Sequence, residues 1–126
     1  MTSAKYVKAV LSIGSNFGER QENVASGIKW LSEMLTDVSC SHIYATPDCH
    51  GGFREYINAV LSGYTILTPL ELDTKCKQFE LEHGRTLEAR KAGNVAIDID
   101  LVIYGNDILR PKDFAREFFK IGYSCI

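Results

Sequence analysis

One run near the end of the sequence, from Val95 to Tyr104, limits the possible fold more than any other feature. In this run an apolar set of side chains alternates with a mixed set: Ile97, Ile99, Leu101 and Ile103 against Asp98, Asp100, Val102 and Tyr104. Successive side chains of a strand point to opposite faces of its sheet. The alternation therefore predicts a strand whose isoleucine face packs against helices, while Asp98 and Asp100 point together toward the other side.

Two amphipathic helices are predicted before this strand. The first spans about 19–35, because its apolar residues recur every three or four positions, as Val24, Ile28, Leu31 and Leu35. The second begins with Thr68 as N-cap, Pro69 at the first helical position and Glu71 placed to close a capping box. We expect it to run to His83 and to end at Gly84, which suits a left-handed terminating residue.

The remaining regular elements are strands. Short runs rich in β-branched residues predict strands at 5–13, 38–44 and 56–67, with a short one at 107–109, and loops at 48–54 and 85–96. The resulting order βαββαβ is that of an α+β, ferredoxin-like sandwich, an antiparallel sheet with two helices on one face. The other face is then free. A chain of 126 residues supports one such domain, residues 1–126.

Composition excludes several classes of function. The chain has 14 Lys and Arg against 16 Asp and Glu, a net charge of −2, so it lacks the basic surface of a nucleic-acid binder. No apolar run approaches the roughly 20 residues of a membrane span, and no secretory signal is recognisable, so we expect a cytoplasmic protein without a membrane or nucleic-acid partner. The four cysteines form no CxxC pair and are expected to be free thiols.

The aspartate pair is the first candidate for chemistry. Carboxylates two residues apart on a strand lie about 7 Å from each other on one face. Such a pair suits Mg²⁺, which takes one or two carboxylates and completes its shell with water and substrate phosphates. The alternative is an edge strand that presents charge to water and so avoids pairing with another chain. The spacing alone leaves both interpretations open.

Charged residues between the second helix and the aspartate pair form the second candidate. They are one acid and three bases: Glu80, Arg85, Arg90 and Lys91. Basic side chains in such a loop can contact a polyphosphate, and an acid can contact the attached sugar or base. The alternative for each is ordinary solvated surface charge.

Five blocks of the sequence, in order, resemble the 6-hydroxymethyl-7,8-dihydropterin pyrophosphokinase family of folate biosynthesis. They are Gly14-Ser15-Asn16, Thr46-Pro47, Tyr56-Ile57-Asn58-Ala59-Val60, Glu80 with His83-Gly84-Arg85, and the run from Ile97 to Gly105. The resemblance spans residues 7 to about 111. It agrees with the fold expected above and implies an enzyme that transfers pyrophosphate from ATP to the hydroxymethyl group of a reduced pterin.

The resemblance also implies roles for single residues. Asp98 and Asp100 would hold two Mg²⁺ ions that bridge the phosphates of the co-substrate ATP, with Arg85 as a further catalytic group. The pterin would bind at four positions: Thr46, Pro47, Tyr56 and Asn58. The nucleotide would bind at five: Glu80, Arg85, Ile99, Arg90 and Lys91. The implied partners are these small molecules, with no obligate protein partner.

The sequence departs from the family at several positions. Ala92 and Val95 stand where family members carry a tryptophan and an arginine, Leu87 where a second arginine is common, and Lys112 in place of a histidine. The C-terminal segment is shorter, and Arg116, Phe118 and Phe119 are candidates for its arginine and its pterin-stacking phenylalanine. Each lost phosphate-binding group commonly costs a factor of about 10² to 10³ in rate.

Three interpretations of function follow. The first is an Mg²⁺-dependent pyrophosphokinase in which other basic residues replace the missing arginines. The second is a family member that binds nucleotide or pterin, or acts on another substrate, without appreciable pyrophosphate transfer. The third is a non-enzymatic domain whose free sheet face binds a partner, with RNA disfavoured because the acidic pair would repel phosphate.

Overall fold

The computed structural model describes residues 5–126. Its strands are β1 (Val7–Ser15), β2 (Thr36–Cys40), β3 (Tyr44–Thr46), β4 (Tyr56–Thr65), β5 (Asp98–Tyr104) and β6 (Asp107–Ile108). Its helices are α1 (Arg20–Met34), α2 (Pro69–Glu82), α3 (Leu87–Lys91), α4 (Pro111–Phe114) and α5 (Glu117–Tyr123). No helix in this range is long and apolar enough to cross a membrane.

The strands form one antiparallel sheet in the order β2-β4-β1-β5-β6, with β3 paired to the remaining length of β4. The predicted α+β, ferredoxin-like fold is confirmed, with β1, α1, β2, β4, α2 and β5 as its six elements. The strand predicted at 38–44 is divided, because the chain leaves β4 after β2 and returns to it as β3. The loop predicted at 85–96 contains α3, whose first turn is capped by Thr86.

The start of α2 forms as the sequence predicts. The Thr68 hydroxyl accepts a hydrogen bond from the Glu71 N–H at 3.2 Å, and the Glu71 carboxylate accepts one from the Thr68 N–H at 2.9 Å. At the other end Gly84 has a φ of +98°, a value that favours glycine. The capping box thus fixes where α2 begins, and it sets which of its side chains face β5.

The main core lies between α1, α2 and the sheet. It contains inward side chains of three strand regions and both helices: Ala9, Leu11, Ile13, Ile57, Ala59, Leu61, Ile97, Ile99, Leu101, Val24, Leu31, Leu35, Leu72, Cys76 and Phe79. Gly27 lets α1 approach the sheet, since a Cβ there would lie 3.2 Å from Ile13. Removing this apolar area from water is the chief term that stabilises the fold.

The expectation of a free second sheet face is wrong. α4 and α5 fold back over it, and Phe119 is fully buried against Val10, Val60 and Val102. These helices have 4 and 7 residues, too few to show the apolar period by which the sequence predicts longer ones. The platform for a partner that the third interpretation requires is therefore covered in part by the chain itself.

The expectation that Ile103 faces the two long helices is also wrong. Opposite Val10 and Leu11 the register of β5 jumps from Ile103 to Leu101, so one extra residue stands in β5. Such a bulge reverses the alternation beyond it. Ile103 therefore packs on the α5 side, while Tyr104 packs against the main core. Asp98 and Asp100 precede the bulge and keep the predicted common face.

Candidate functional site

A cavity of about 130 Å³ opens on the sheet face opposite α1 and α2. Its lining comes from five places in the chain: the end of β1, the β3–β4 pair, the turn after β3, the start of β5, and the C-terminal helices. The lining residues are Ser12, Ile13, Gly14, Thr46, Pro47, Asp48, Cys49, His50, Tyr56, Asn58, Asp98, Asp100, Arg110, Asp113 and Phe118. It therefore joins four predicted pterin-binding residues to the aspartate pair.

One end of the cavity is neutral. β3 and β4 pair Tyr44 with Asn58 and Thr46 with Tyr56, which places Asn58 beside Thr46. The Asn58 amide donates to the Thr46 hydroxyl at 2.8 Å, and both side chains are buried. Gly14 leaves room next to them, because a Cβ there would lie 3.5 Å from both Asn58 and Tyr56. This arrangement, the amide wall, presents fixed polar groups to a flat ligand.

A turn and an aromatic ring border the amide wall. Asp48 accepts a hydrogen bond from the His50 N–H at 2.8 Å, which closes the turn after Pro47. Phe118 of α5 lines the cavity, whereas its neighbour Phe119 lies in the core. Of the two C-terminal phenylalanines, Phe118 is thus the one that the fold brings to the site.

The other end of the cavity is charged. Asp98 and Asp100 line it, and Lys77 of α2 contacts them from outside the cavity lining, with its ammonium 3.1 Å from Asp100 Oδ1 and 4.0 Å from Asp98 Oδ1. Arg85 approaches Asp98 at 3.4 Å, and Arg110 approaches Asp100 at 3.9 Å. We refer to these five residues as the charged end of the site.

The two aspartates titrate in opposite directions. Burial and then the negative charge of Asp100 raise the pKa of Asp98 well above its usual range. Burial also opposes ionisation of Asp100, but the hydrogen bond from Asp98 and the positive charges of Lys77 and Arg110 outweigh it and lower its pKa. Asp100 therefore ionises at a lower pH than Asp98 does.

The donor set fits a hard divalent ion. Two carboxylates on one face of a strand supply oxygen ligands, and their mutual repulsion is relieved by a cation placed between them. In residues 5–126 no group of three or more His, Cys, Asp or Glu side chains forms a closed metal site. The remaining ligands of an ion held here would therefore come from water or a phosphate substrate.

A basic cleft adjoins the charged end. It is lined by His50, Leu109, Arg110, Pro111, Lys112, Asp113 and Arg116, so three of its seven side chains are Lys or Arg. The residues join the cavity because the chain turns after β6 into α4, directly beside Asp100. A cleft of this charge suits an anion of the size of a phosphate group.

Comparison with known proteins identifies a family to which the sequence is similar. The sequence profile of 7,8-dihydro-6-hydroxymethylpterin-pyrophosphokinase (HPPK) matches residues 10–124, which include every residue that lines the cavity. The chain belongs to the HPPK family. The resemblance seen in the sequence is thereby confirmed.

Curated relatives of this HPPK-family chain carry matching names. A 2-amino-4-hydroxy-6-hydroxymethyldihydropteridine pyrophosphokinase of Aquifex aeolicus is 36% identical over 105 residues, which cover 81% of this chain and 64% of the relative. One of Haemophilus influenzae is 30% identical over 109 residues, or 84% and 68%. A folate synthesis bifunctional protein of Chlamydia caviae is 32% identical over 120 residues, or 90% and 26%. The chain thus spans about two thirds of the length of the first two relatives.

Several predicted nucleotide residues have structural partners in this HPPK-family fold. Glu80 is buried and accepts a hydrogen bond from the Ile99 N–H at 2.9 Å, while the Ile99 carbonyl accepts one from Lys77 at 3.1 Å. Both polar groups of Ile99 are therefore engaged within the protein, and its side chain lies in the core. Contact of Ile99 with an adenine, which stays a prediction, requires exchange of these bonds.

Two other predicted residues lie apart from the cavity. Arg90 and Lys91 are exposed on α3 and, like the other three predicted nucleotide residues, Glu80, Arg85 and Ile99, are not among the residues that line it. Their loop is anchored to the end of β1, because Asn16 accepts from the Val95 N–H at 2.7 Å and donates to the Gly93 carbonyl at 3.1 Å. The anchor fixes Val95, the position at which the family resemblance leads us to expect a loop arginine.

Sequence reasoning missed Lys77, Arg110 and Asp113 as parts of the site. Lys77 and Arg110 reach the aspartates from α2 and from the turn after β6. The helical spacing of Lys77 and Glu80 was a usable signal, since residues three apart on a helix share a face. For Arg110 no such signal existed, because its position depends on the C-terminal helices folding back.

Proposed function

We propose that this chain catalyses the transfer of pyrophosphate from ATP to 6-hydroxymethyl-7,8-dihydropterin, as the names of its family and relatives indicate. The observation that carries the proposal is the junction of the amide wall and the charged end in one cavity. A single ligand site with one neutral and one charged end suits a neutral heterocycle beside a polyphosphate.

In this proposal the pterin lies on the amide wall. Asn58 reads its amide edge by hydrogen bonds, and the Asn58–Thr46 bond holds that amide in one orientation. Tyr56 and Pro47 support the same wall, and Phe118 contacts the flat ring from α5. The hydroxymethyl group then points toward Asp98 and Asp100, where the two ends of the cavity meet.

The triphosphate of ATP lies across the charged end. Asp98 and Asp100 would hold two Mg²⁺ ions there, which when bound neutralise phosphate charge. Arg85 binds phosphate beside Asp98, and Arg110, Lys112 and Arg116 of the basic cleft replace the positive charge missing at Leu87 and Val95. Glu80, Ile99, Arg90 and Lys91 are assigned to the nucleoside side.

The residues of the chain contribute by positioning and by charge. The pterin hydroxyl oxygen forms a bond to the β-phosphorus and loses its proton to water, while the bond from that phosphorus to the α-phosphate oxygen breaks, which releases AMP. Arg110 and Arg116 lie where they can stabilise negative charge on the transferred group and the leaving phosphate. Asn58 fixes the attacking oxygen indirectly, through the ring that carries it. We place this reaction in the cytoplasm, on freely diffusing substrates.

The test is an AMP-release assay with purified protein, Mg²⁺, ATP and 6-hydroxymethyl-7,8-dihydropterin. Pyrophosphate transfer yields AMP and the pterin diphosphate in equal amounts, with no AMP when the pterin is omitted. Phosphate or ADP in place of AMP would contradict a transfer from the β-position.

The second candidate is binding without transfer. The observation in its favour is Val95, whose backbone is anchored by Asn16 at a position where family members use an arginine. Calorimetry with a non-hydrolysable ATP analogue, Mg²⁺ and the pterin separates the two candidates. Tight binding of both ligands without AMP formation supports the second and excludes the first.

A further inference from the structure

Lys77 occupies the centre of the charged end. Its ammonium has three N–H groups and three close acceptors: Glu80 Oε2 at 3.0 Å, Asp100 Oδ1 at 3.1 Å and the Ile99 carbonyl at 3.1 Å. Asp98 Oδ1 lies 4.0 Å away. The ammonium is therefore fully coordinated by the protein, and it lies within 4.0 Å of both carboxylates that the proposed function assigns to Mg²⁺.

Lys77 reaches this position at the edge of the sheet, at the start of β5. Among residues 5–126, β6 pairs with β5 only at Ile103 and Tyr104, and no strand of this range pairs with the start of β5 on that side. Lys77 of α2 donates to the Ile99 carbonyl at this edge, and Glu80 of the same helix accepts the hydrogen bond from the Ile99 N–H. The Lys77 side chain is still 42% exposed, which leaves it space to move away from Asp100.

A divalent ion and this ammonium compete for the same carboxylate. Asp100 Oδ1 accepts the hydrogen bond from Lys77, and an ion bound between the aspartates also needs Asp100 as a ligand. Two cations within about 4 Å of each other repel strongly in a partly buried site. The Glu80 and Ile99 contacts do not involve the pair, so they can retain the ammonium nearby after it leaves Asp100.

We propose that Lys77 is a built-in counter-cation of the Asp98–Asp100 pair, which a divalent metal ion must displace from Asp100 in order to bind. This inference rests on the proposed function, because it takes the aspartate pair as the metal site. Lys77 is thus a positioning residue that sets the metal concentration at which the site fills. It also keeps the pair neutralised in the ligand-free protein.

The test measures Mn²⁺ binding to the protein alone, by electron paramagnetic resonance of the free ion. Lys77→Gln removes the competing charge and is expected to tighten Mn²⁺ binding about tenfold. Lys77→Arg keeps the charge and should bind Mn²⁺ as the wild type does. Lys75→Gln is the matched control, because it removes the same charge from an exposed position of the same helix.

Asp100→Asn distinguishes a failure of the proposed role of Lys77 from a failure of the metal site itself. If Asp100→Asn weakens Mn²⁺ binding while Lys77→Gln leaves it unchanged, the metal site stands and the role of Lys77 is wrong. If Asp100→Asn has no effect, the metal site itself is wrong, and both proposals lose their basis. If Lys75→Gln tightens Mn²⁺ binding as much as Lys77→Gln does, the effect comes from the overall charge of the protein, and the contact of Lys77 with Asp100 is irrelevant.

A measurement on the wild type covers the case in which Lys77→Gln does not fold. The ¹⁵N-labelled ammonium of Lys77 is held by three acceptors and should exchange its protons slowly with water. Addition of Mg²⁺ is expected to shift this signal and to speed its exchange, while exposed lysines stay unchanged. An unaltered Lys77 signal at a Mg²⁺ concentration that fills the site would overturn the proposal.

Discussion

The two ends of the cavity are built in different ways. The amide wall comes from two strands that are neighbours in sequence and in the sheet, β3 and β4, and its groups are neutral and fixed by one short hydrogen bond. The charged end draws Lys77 from α2, Arg85 from the turn after it, Asp98 and Asp100 from β5, and Arg110 from the turn before α4. The first is a local structure, and the second requires the whole fold.

The two ends also differ in how they respond to conditions: the amide wall is preorganised, whereas the charged end can rearrange. The wall has no ionisable group among Thr46, Pro47 and Asn58, so neither pH nor ions change its hydrogen bonds. The charged end holds opposite charges within 3–4 Å, and their balance depends on protons, metal and phosphate. We therefore expect changes at the wall to alter binding of one substrate, and changes at the charged end to alter the reaction itself.

The largest expected effect is at the charged end. Asp100→Asn should lower pyrophosphate transfer by a factor of about 10² to 10³, because it removes one of two carboxylates assigned to metal and phosphate positioning. Binding of the pterin should change little. The measurement is AMP release under saturating substrates, paired with pterin titration.

Asp107→Asn serves as the control for Asp100→Asn. Asp107 is an exposed acid in β6, so its replacement removes the same charge outside the cavity. Equal activity of the Asp100→Asn variant and the wild type would remove the functional distinction between the two ends.

Most of the fold was predictable because its signals are local. The alternation in β5, the period of α1 and the cap of α2 each follow from residues within one turn or one strand. The failures were non-local. The bulge at Val102 is visible only from the register of β1, and α4 and α5 are stable only because Phe119 is buried by the sheet.

The candidate site, like the fold, was predictable only where local signals place its residues. Thr46, Asn58 and the aspartate pair lie in strands, where the pattern states which side chains share a face. Lys77 and Arg110 belong to the site through long side chains that cross from other elements, and a sequence pattern carries no distance between elements. The family resemblance gave roles to strand residues and to a few residues of α2 and the loop after it, but it did not indicate Lys77 or Arg110.

At the amide wall we expect a smaller effect, confined to one substrate. Asn58→Ala removes the amide that is buried against Thr46, and it should weaken pterin binding about 10- to 100-fold, the range for loss of a buried hydrogen-bonding group. Binding of an ATP analogue with Mg²⁺ should stay within twofold of the wild type. Calorimetric titration of each ligand separately checks both statements. A parallel loss of nucleotide affinity would mean that the two ends are not independent.

A third substitution tests whether the C-terminal helices complete the cavity. A Cβ at Gly122 would lie 2.5 Å from Val60 and 2.6 Å from the Tyr44 hydroxyl, so Gly122→Ala forces α5 away from β4. We expect a loss of about 1 to 3 kcal/mol in the free energy of unfolding, typical of an overpacked core. Denaturant unfolding measures this loss, and Ser124→Ala, an exposed position just after α5, is the control.

The Gly122→Ala variant also affects the site. Phe118 enters the cavity from α5, and Tyr44 donates its hydroxyl hydrogen to the Phe118 carbonyl, so displacement of α5 should weaken pterin binding more than nucleotide binding. If the variant keeps both full stability and full pterin affinity, α5 does not pack as described.

The smallest effect is the pH dependence of stability, which should distinguish the two ends directly. The pKa of Asp98 is raised in the folded protein above its usual value of 3.8, so between these two values the folded state binds a proton that the unfolded state has lost. The free energy of unfolding then falls as pH rises through this interval. Asp100, with a lowered pKa, contributes stability that is already complete above pH 3.8 and does not mask the fall.

Asp98→Asn removes the titrating group, so the stability of this variant relative to the wild type should increase with pH and then level off. Thr46→Val, at the neutral end, should differ from the wild type by the same amount at every pH. Urea unfolding of the three proteins without metal, from about pH 4 to pH 8, provides the comparison, and a constant difference for Asp98→Asn would show that the pKa of Asp98 is not raised in the folded protein.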